Sequence, residues 1–303
     1  MKTSNYIIAI ICSLLIAGAF IFNEEITNKI VEVLDSNPTI VIKKSNEYTK
    51  DYDFDYVKLD KTYTPYGYQD LLNIIYSVLN NGWDNFTFYC PDEYTDCISD
   101  MTTISTDNNL LTNINNFVHP FNNFEHIKTT FDSTGEITLT ITKLYTDEEI
   151  TEIKNAISEF TTNNIPDNMT DYEKIETYHD YIIDNTTYDI ERAQIGKSNY
   201  KSNTAYGTLI EGYSVCGGYS DAIAIYLFQL GIKNFKISSD DHVWNAIYLN
   251  DEWLHLDATW DDPYGSDGAS YLIDDYFLIT TEKLQKLDNQ SHNFDISIYQ
   301  EFK

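Results

Sequence analysis

Apolar residues at a helical spacing mark three amphipathic helices. Residues 68–79 carry them three and four positions apart, and an Asn-Asn-Gly stretch closes the pattern. Thr146 and Glu149 have the spacing of a capping box, in which each side chain bonds the backbone amide of the other residue. Thr170 and Glu173 repeat that spacing. We therefore expect helices at 68–79, directly after Thr146 and directly after Thr170.

Alternating apolar and polar residues predict a first hairpin in the following part of the chain. Residues 127–132 and 136–144 flank an Asp-Ser-Thr-Gly turn, and the apolar positions of the second run share one face. A further short run at 86–90 ends before a proline and is typical of a strand. This region therefore mixes strands with helices.

A second hairpin pattern lies later in the chain. Residues 242–249 and 252–260 both alternate, and they are separated only by the Asn-Asp pair at 250–251. With that pair as the loop, Asp257 stands diagonal to His242 on one face of the hairpin. Diagonal neighbours are about 7–8 Å apart at the backbone, which is within reach of a hydrogen bond between these two side chains.

The chain opens with an apolar run that is broken only by Cys12, Ser13 and Gly18. It covers residues 6–22, follows Lys2, and contains an Ala-Gly-Ala stretch at 17–19 of the form found at signal cleavage sites. A spanning helix needs about 20 apolar residues, and this run lies near the lower limit of that length. Residues 1–23 are therefore predicted to be a signal peptide or a membrane anchor. Either one places the remainder at the extracellular face of the cell membrane, or makes it a secreted protein.

The rest of the chain divides by composition into three parts. Residues 24–62 are polar, acidic and rich in tyrosine, which predicts a linker. Residues 63–162 carry the first mixture of helices and strands and are predicted to form an N-terminal α+β domain. A turn-rich Asn-Asn-Ile-Pro-Asp stretch then opens a second domain at 163–303.

Net charge limits the choice of partners. The 303 residues include 48 acidic and 19 basic side chains, and the net charge is −29 at pH 7. Nucleic acids and anionic membrane surfaces bind proteins through Lys and Arg. We therefore expect no nucleic-acid partner, and a membrane contact only through the N-terminal segment if it is not cleaved.

Four cysteines are too few to define the fold. Cys90 and Cys97 stand seven positions apart and can form a local disulfide in an oxidising compartment, with two free buried thiols as the alternative. The cysteine spacings give no four-ligand zinc site. Asp261, Asp262 and Asp267 could hold calcium, but a turn with capping carboxylates fits better because no complete calcium-loop pattern is present. The sequence therefore predicts no metal and no cofactor.

One cysteine stands where a helix begins. Cys216 precedes the apolar residues 222–230, and a glycine ends that run. Free amides and the dipole at the amino end of a helix favour a thiolate, and Gly217 leaves the sulfur unshielded. His242 can take the thiol proton, and Asp257 can orient the imidazole and stabilise its charged form. On the residues alone, the alternative is a buried cysteine beside an ordinary polar hairpin face.

Several motifs, in this order, resemble the core of the transglutaminase-like superfamily in an exported bacterial form. The resemblance covers roughly residues 170–264 and rests on these stretches: Ala205-Tyr206-Gly207, Val215 through Ser220, Leu230-Gly231-Ile232, His242-Val243-Trp244-Asn245, and Trp253 through Pro263. It implies a papain-like α+β fold, in which a central helix bearing the cysteine packs against an antiparallel sheet bearing His and Asp. A smaller α+β segment and an N-terminal apolar helix would precede this core.

The resemblance also implies roles for single residues. By position in the motifs, Cys216 is the nucleophile, His242 the base and Asp257 the orienting acid. Three further positions are candidates for the lining of the substrate cleft: Tyr206, Gly217 and Trp244. Gly217 stands where many members have Gln or Glu. His255, on the same strand as Asp257, is expected at the rim of the cleft.

Together these features predict a thiol enzyme that attacks an amide or peptide carbonyl through Cys216 and forms an acyl-enzyme. Resolution by water would make it a cysteine peptidase or amidase, and resolution by an amine would make it a transglutaminase-type crosslinking acyltransferase. The expected substrate is a protein or peptide of the cell wall or of the secreted proteins. Two alternatives stay open: a catalytically idle binding or scaffold module of the cell surface on the same fold, and a metal-dependent hydrolase built on the Asp-rich loops.

Overall fold

The computed structural model describes residues 40–132, 134–263, 272–288 and 290–303. The predicted signal peptide or anchor at 1–23 lies outside these residues. Within them, no helix has both the length and the apolar character needed to span a membrane.

Helices and strands are mixed along the described part of the chain. The α-helices are α1 (Tyr68–Asn80), α2 (Cys97–Thr106), α3 (Asn108–Asn115), α4 (Asp147–Asn164), α5 (Asp171–Asp184), α6 (Ile190–Ile195), α7 (Cys216–Gln229) and α8 (Thr281–Leu287). The strands are β1 (Asn85–Tyr89), β2 (Phe124–Phe131), β3 (Glu136–Lys143), β4 (Thr187–Tyr188), β5 (Tyr213–Ser214), β6 (Asn234–Ser238), β7 (Val243–Leu249) and β8 (Glu252–Leu256). Two 3-10 turns (Pro120–Asn122 and Gln300–Phe302) and one π-helical turn (Gly207–Glu211) complete the set.

The three predicted amphipathic helices are confirmed as α1, α4 and α5. Both capping boxes are present, with the hydroxyl of Thr146 accepting from the amide of Glu149 and the hydroxyl of Thr170 accepting from the amide of Glu173. Each glutamate returns the bond to the backbone amide of its threonine, so two otherwise unpaired amides are satisfied at each helix start.

The first predicted hairpin is also confirmed. Strands β2 and β3 pair antiparallel, with Ile127 facing Ile141, and β1 pairs with the other edge of β3 to give the order β1-β3-β2. A second three-stranded antiparallel sheet has the order β6-β7-β8, and β4 and β5 form a short parallel pair. Two of the candidate catalytic residues, His242 and Asp257, lie at one end of the β6-β7-β8 sheet.

The hairpin of β7 and β8 has the predicted loop and register. Tyr248 faces Trp253 and Asn245 faces Leu256, as an Asn-Asp loop requires. Asn250 and Asp251 both adopt positive φ angles, 53° and 64°. A two-residue hairpin loop with positive φ at both positions matches the twist of the strands, and Asn and Asp tolerate that conformation better than other non-glycine residues.

Helix α7 lies at the centre of the fold. Ten consecutive residues of it, Gly218–Leu227, are buried, as expected of a helix that is apolar on nearly all sides. The side-chain amide of Asn245 in β7 donates to the backbone carbonyl oxygen of Ser220 at 2.9 Å, and this bond links the helix to the sheet. The first residue of α7, Cys216, therefore has a fixed position relative to the β7-β8 hairpin.

The core is shared across the predicted domain boundary at 162/163. The ring of Phe160 in α4 packs edge-on against Tyr226 of α7, with 5.8 Å between centroids, and Tyr178 of α5 stacks on Tyr226 at 4.1 Å. Residues 42–303 form one compact unit, so the structure does not divide it into domains at 63–162 and 163–303. Continuous apolar packing through α4, α5 and α7 is the physical reason.

The predicted linker at 24–62 is corrected over its described part. Lys50, Phe54 and Val57 are almost fully buried. The ammonium of Lys50 donates to the carbonyl oxygen of Asn234 at 2.7 Å, and the ring of Phe54 packs on Phe117 with 4.9 Å between centroids. This segment belongs to the folded unit because its few apolar side chains, spaced between acidic residues, fill gaps beside β6.

A buried polar network joins α7 to the β6-β7-β8 sheet and to the segment before α4. Asp221 of α7 accepts from the Lys236 ammonium at 2.6 Å and from the Tyr145 hydroxyl at 2.5 Å. The Tyr145 hydroxyl oxygen in turn accepts from the amide of Ala205 at 2.8 Å. Burial, with the nearby charge of Lys236, lowers the pKa of Lys50 to about 7. The network contains the buried ion pair between Lys236 and Asp221.

Cys90 and Cys97 are joined in a disulfide, with 5.8 Å between their Cα atoms. The bond links the end of β1 to the first residue of α2. Of the two alternatives left open by the sequence, the structure thus has the bonded one. Cys216 is a free, partly exposed thiol.

Candidate active site

Three sequence elements bring Cys216, His242 and Asp257 together. Cys216 is the first residue of α7, after the extended cap residue Val215. His242 directly precedes β7, and Asp257 directly follows β8, so both lie at the same end of the hairpin. The hairpin register fixes their separation, and the packing of α7 on the sheet fixes the position of the sulfur.

The His242–Asp257 contact is a direct hydrogen bond. Nε2 of His242 lies 2.5 Å from Oδ2 of Asp257, and the Asp257 carboxylate is 2% exposed. Its other oxygen, Oδ1, accepts from the amide of Thr259 at 2.9 Å. The carboxylate is therefore held at both oxygens, one by the ring of His242 and one by a backbone amide.

The pKa values of both partners shift toward a charged pair. Burial disfavours the charged ring of His242, but the Asp257 carboxylate and hydrogen bonds to Asp257 and Cys216 outweigh it and raise the pKa of His242 to about 10. Burial would also raise the pKa of Asp257, but His242 and His292 outweigh it and hold that pKa below its ordinary value. At neutral pH the ring is thus cationic and the carboxylate anionic.

The protonated ring of His242 can therefore donate a proton to the sulfur of Cys216. Its Nε2 is bonded to Asp257, which leaves Nδ1 as the nitrogen that can exchange a proton with the nearby Cys216. A cationic donor next to sulfur stabilises the thiolate, which is the nucleophilic form. The first turn of α7 holds no acidic residue that would oppose a negative charge there.

Comparison with known proteins identifies the segment that carries these residues. Residues 159–258 match the Transglutaminase-like superfamily. They form a transglutaminase-like core. The match includes Cys216, His242 and Asp257, and it begins near the end of α4.

No curated protein matches the chain. One solved structure to which it is similar is described as "Crystal structure of a TGase", with 15% identity and a TM-score of 0.34 over 45% of this chain and 44% of that one. The chain thus spans less than half the length of that protein.

Aromatic rings of the transglutaminase-like core support His242 from behind. Trp244 is 1% exposed, and its ring stacks on that of His242 with 5.7 Å between centroids and 17° between planes. Its indole N–H donates to Nδ1 of His255 at 3.1 Å. The prediction that Trp244 lines the cleft is corrected, because the side chain is enclosed between the sheet and the C-terminal segment.

His255 is also buried and not at the rim. It is 1% exposed, and its Nε2 lies 3.1 Å from the hydroxyl of Thr281. Burial, with the nearby charge of His292, lowers the pKa of His255 to about 3. A neutral ring is what the arrangement needs, because Nδ1 must keep a lone pair to accept from Trp244.

The two other cleft candidates have different surroundings. A Cβ on Gly217 would lie 2.2 Å from Oδ1 of Asn203, so a longer side chain at this position would require the side chain of Asn203 to move. The hydroxyl of Tyr206 bonds Glu152 of α4 at 3.3 Å, and its ring lies under the ammonium of Lys201. Nothing in those contacts links Tyr206 to the sulfur, and its cleft role stays a prediction.

A cavity of about 270 Å³ is lined by Tyr188, Thr259, Trp260, Asp262 and Pro263. The backbone amide of Thr259 in this lining bonds Asp257. The ring of Trp260 lies 6.2 Å from that of His242. Burial, with Cys216 and Asp257 nearby, raises the pKa of Tyr188. Both aromatic walls thus lie close to the reacting groups, and neither was predicted from the sequence as a site residue.

A second histidine bonds the same carboxylate. Nε2 of His292 lies 2.8 Å from Oδ2 of Asp257, and Nδ1 of His292 lies 2.9 Å from Oδ2 of Asp288. His292 falls outside the transglutaminase-like core. The Asp288–His292 spacing of four residues was the only signal in the sequence, and it is too common to be specific.

Metal ligation is not needed to explain this cluster. Within the described part of the chain, His242, Asp257 and His292 offer ligand atoms within 4.8 Å of one another. The two hydrogen bonds to Oδ2 of Asp257 already account for that approach, so we assign no metal there.

Asp261 and Asp262, which the sequence left as a less favoured calcium site, are likewise bonded by protein groups. Asp261 bonds Nε2 of His179 at 3.1 Å and the amide of Tyr276 at 2.9 Å. Asp262 accepts from the hydroxyl of Tyr219 at 2.5 Å. Asp267 lies outside the described residues.

Proposed function

We propose that the protein is a cysteine-dependent acyltransferase or peptidase that acts on protein or peptide substrates. The observation that supports this best is that His242 is bonded to Asp257 on one side and interacts with Cys216 on the other. Nucleophile, base and orienting group are the minimum set for thiol catalysis. The adjoining cavity beside Trp260 offers a place for the acyl group.

Acylation follows from the charges of the resting pair. The thiolate of Cys216 attacks the substrate carbonyl carbon, and the carbonyl π electrons move onto oxygen. The amide of Cys216, at the first position of α7, has no acceptor within the helix and can donate to that oxyanion. When the intermediate collapses, the C–N bond breaks and Nδ1 of His242 gives its proton to the leaving amine. The product is a thioester and a neutral imidazole.

Deacylation reverses the proton flow. Neutral His242 takes a proton from water or from an incoming amine as that nucleophile attacks the thioester carbonyl. The C–S bond then breaks, and the thiolate–imidazolium pair is restored. Water yields a free acid, as in a cysteine peptidase or amidase, and a primary amine yields a new amide, as in transglutaminase-type crosslinking.

The acyl-enzyme is the species that tests this proposal. On incubation of the full chain with an activated acyl ester, we expect intact-mass and peptide-mass spectra to show one acyl group on Cys216, and Cys216→Ala to show none. Added primary amine should release the group as an amide if the protein transfers to amines. An unmodified Cys216 after rapid acid quench would instead favour the catalytically idle binding or scaffold module.

We also propose that the chain is exported, as a secreted protein or as one held at the extracellular face of the membrane. The Cys90–Cys97 disulfide supports this, because structural disulfides persist mainly in oxidising compartments. Cell fractionation should recover the protein in the medium or with the membranes, with Cys90 and Cys97 resistant to alkylation. Recovery in the cytosol with both thiols reactive would be contrary to the proposal.

A further inference from the structure

We propose that His292, held by Asp288, is a positioning residue of the active site that fixes Asp257 and adds a positive charge behind the His242–Asp257 pair. The proposal rests on the proposed function and extends its three residues to a chain of five. It assigns a role to the C-terminal segment, which lies beyond the matched residues 159–258.

The first support is the sharing of one oxygen. Oδ2 of Asp257 lies 2.5 Å from Nε2 of His242 and 2.8 Å from Nε2 of His292. Two rings thus approach the same atom, with 5.2 Å between their centroids and an angle of 86° between their planes. The orientation of the carboxylate toward His242 cannot change without breaking the bond to His292.

The second support is a count of hydrogen-bond donors. Both nitrogens of His292 face carboxylate oxygens, Oδ2 of Asp257 and Oδ2 of Asp288. An ionised carboxylate only accepts, so each nitrogen must carry a hydrogen, and a ring with two N–H groups is a cation. Burial opposes ionisation of Asp288, but hydrogen bonds from Gln290 and His292 outweigh it and lower its pKa.

The third support is the rigidity of the ring. The side chain of His292 is fully enclosed. Tyr276 stacks on it with 5.2 Å between centroids and 18° between planes, and the rings of Trp244 and Trp260 contact it edge-on at 4.9 and 5.0 Å. Asp288 caps the end of α8 and also accepts from the backbone amide of His292. The ring is therefore held from all sides.

The charge of His292 acts within a small set of titratable groups. Those that face it come from the ends of β7 and β8, from β8 itself, from the segment before α8 and from the end of α8: His242, Asp257, His255, Tyr276 and Asp288. His255 is neutral, so His242 and His292 are the two cations and Asp257 and Asp288 the two anions.

Removal of the cationic ring should have an effect at the sulfur. A positive charge near the thiolate–imidazolium pair favours the thiolate, so its loss should shift the pH midpoint of Cys216 alkylation upward. Coulomb energies at an effective dielectric near 20 place this shift on the order of one pH unit. Loss of the N–H donor to Asp257 should in addition slow turnover by about 10- to 100-fold, since a small misplacement of a catalytic group has costs of that size.

Three variants of the full chain separate these effects. His292→Gln loses the charge but keeps an N–H donor near Asp257, and His292→Phe loses both while keeping a ring against Tyr276. His119→Gln is the control, because His119 is equally buried and packs on Phe228 near the other end of α7. We expect the alkylation midpoint to rise in both His292 variants and turnover to fall further in His292→Phe than in His292→Gln. His119→Gln should leave the midpoint unchanged.

Each outcome decides one question. Unchanged midpoints in folded His292 variants, with only stability lowered, would mean a purely structural role and would overturn this proposal while leaving the proposed function intact. A wild-type Cys216 that titrates as an ordinary thiol would overturn both. If the variants do not fold, the wild-type ¹H–¹⁵N spectrum decides: His292 with both nitrogens protonated at neutral pH supports the proposal, and one bare nitrogen contradicts it.

Discussion

Replacing His242 by alanine should lower turnover of an acyl donor by about two to four orders of magnitude, the usual contribution of a positioned general acid–base group. The ring supplies the proton for the leaving amine and stabilises the thiolate, and with its pKa raised to about 10 it holds that proton throughout the neutral range. Initial rates at saturating and limiting donor concentrations, together with circular dichroism of the variant, measure the effect.

The matched control for this experiment is His126→Ala. His126 is exposed on β2, where it contacts the hydroxyl of Thr142, and it belongs to the other sheet. That variant should keep wild-type rates. A folded His242→Ala protein that retains more than a tenth of wild-type turnover would show that His242 is not the base.

Replacing Lys236 by methionine should lower the free energy of unfolding by about 3–5 kcal/mol, the range observed when one member of a buried ion pair is removed. The side chains of Lys236 and Asp221 are 8% and 2% exposed, and their charged atoms lie 2.6 Å apart. Without Lys236, the Asp221 carboxylate stays in the core with only the neutral donors Tyr145 and Asn123. Chemical denaturation at equilibrium measures the change.

Lys286→Met is the corresponding control for the ion pair. Lys286 also forms a bond of 2.6 Å, to Glu282 one turn away on α8, but both side chains are more than two thirds exposed. Exposed pairs of this type contribute about 0.3–0.5 kcal/mol. Equal losses in the two variants would mean that burial of the Asp221–Lys236 pair contributes nothing to its strength.

Local signals were enough to predict much of this fold from the sequence. The Asn-Asp loop sets the pairing of Tyr248 with Trp253, and this register alone brings His242 near Asp257. Capping boxes at Thr146 and Thr170 start two helices where expected. These features depend on residues a few positions apart, so their physics is contained in short stretches of the chain.

Long-range packing could not be predicted in the same way. Lys50 bonds Asn234 from a segment expected to be a linker, and His292 reaches Asp257 from 35 positions along the chain. Trp244 was expected in the cleft but is buried, because the C-terminal segment covers its face of the sheet with Phe294. No periodicity or spacing records which distant segment will cover a given face.

The pH dependence of Cys216 alkylation tests most directly whether Cys216 and His242 form a thiolate–imidazolium pair. Iodoacetamide labelling of the Cys216 peptide, followed by mass spectrometry from about pH 5 to 10, should give faster labelling at the acidic end in the wild-type protein than in His242→Ala, since a cationic ring beside the sulfur favours the thiolate. Rates that instead fall about tenfold per pH unit below about pH 8.5, with the same profile in His242→Ala, would contradict the pair.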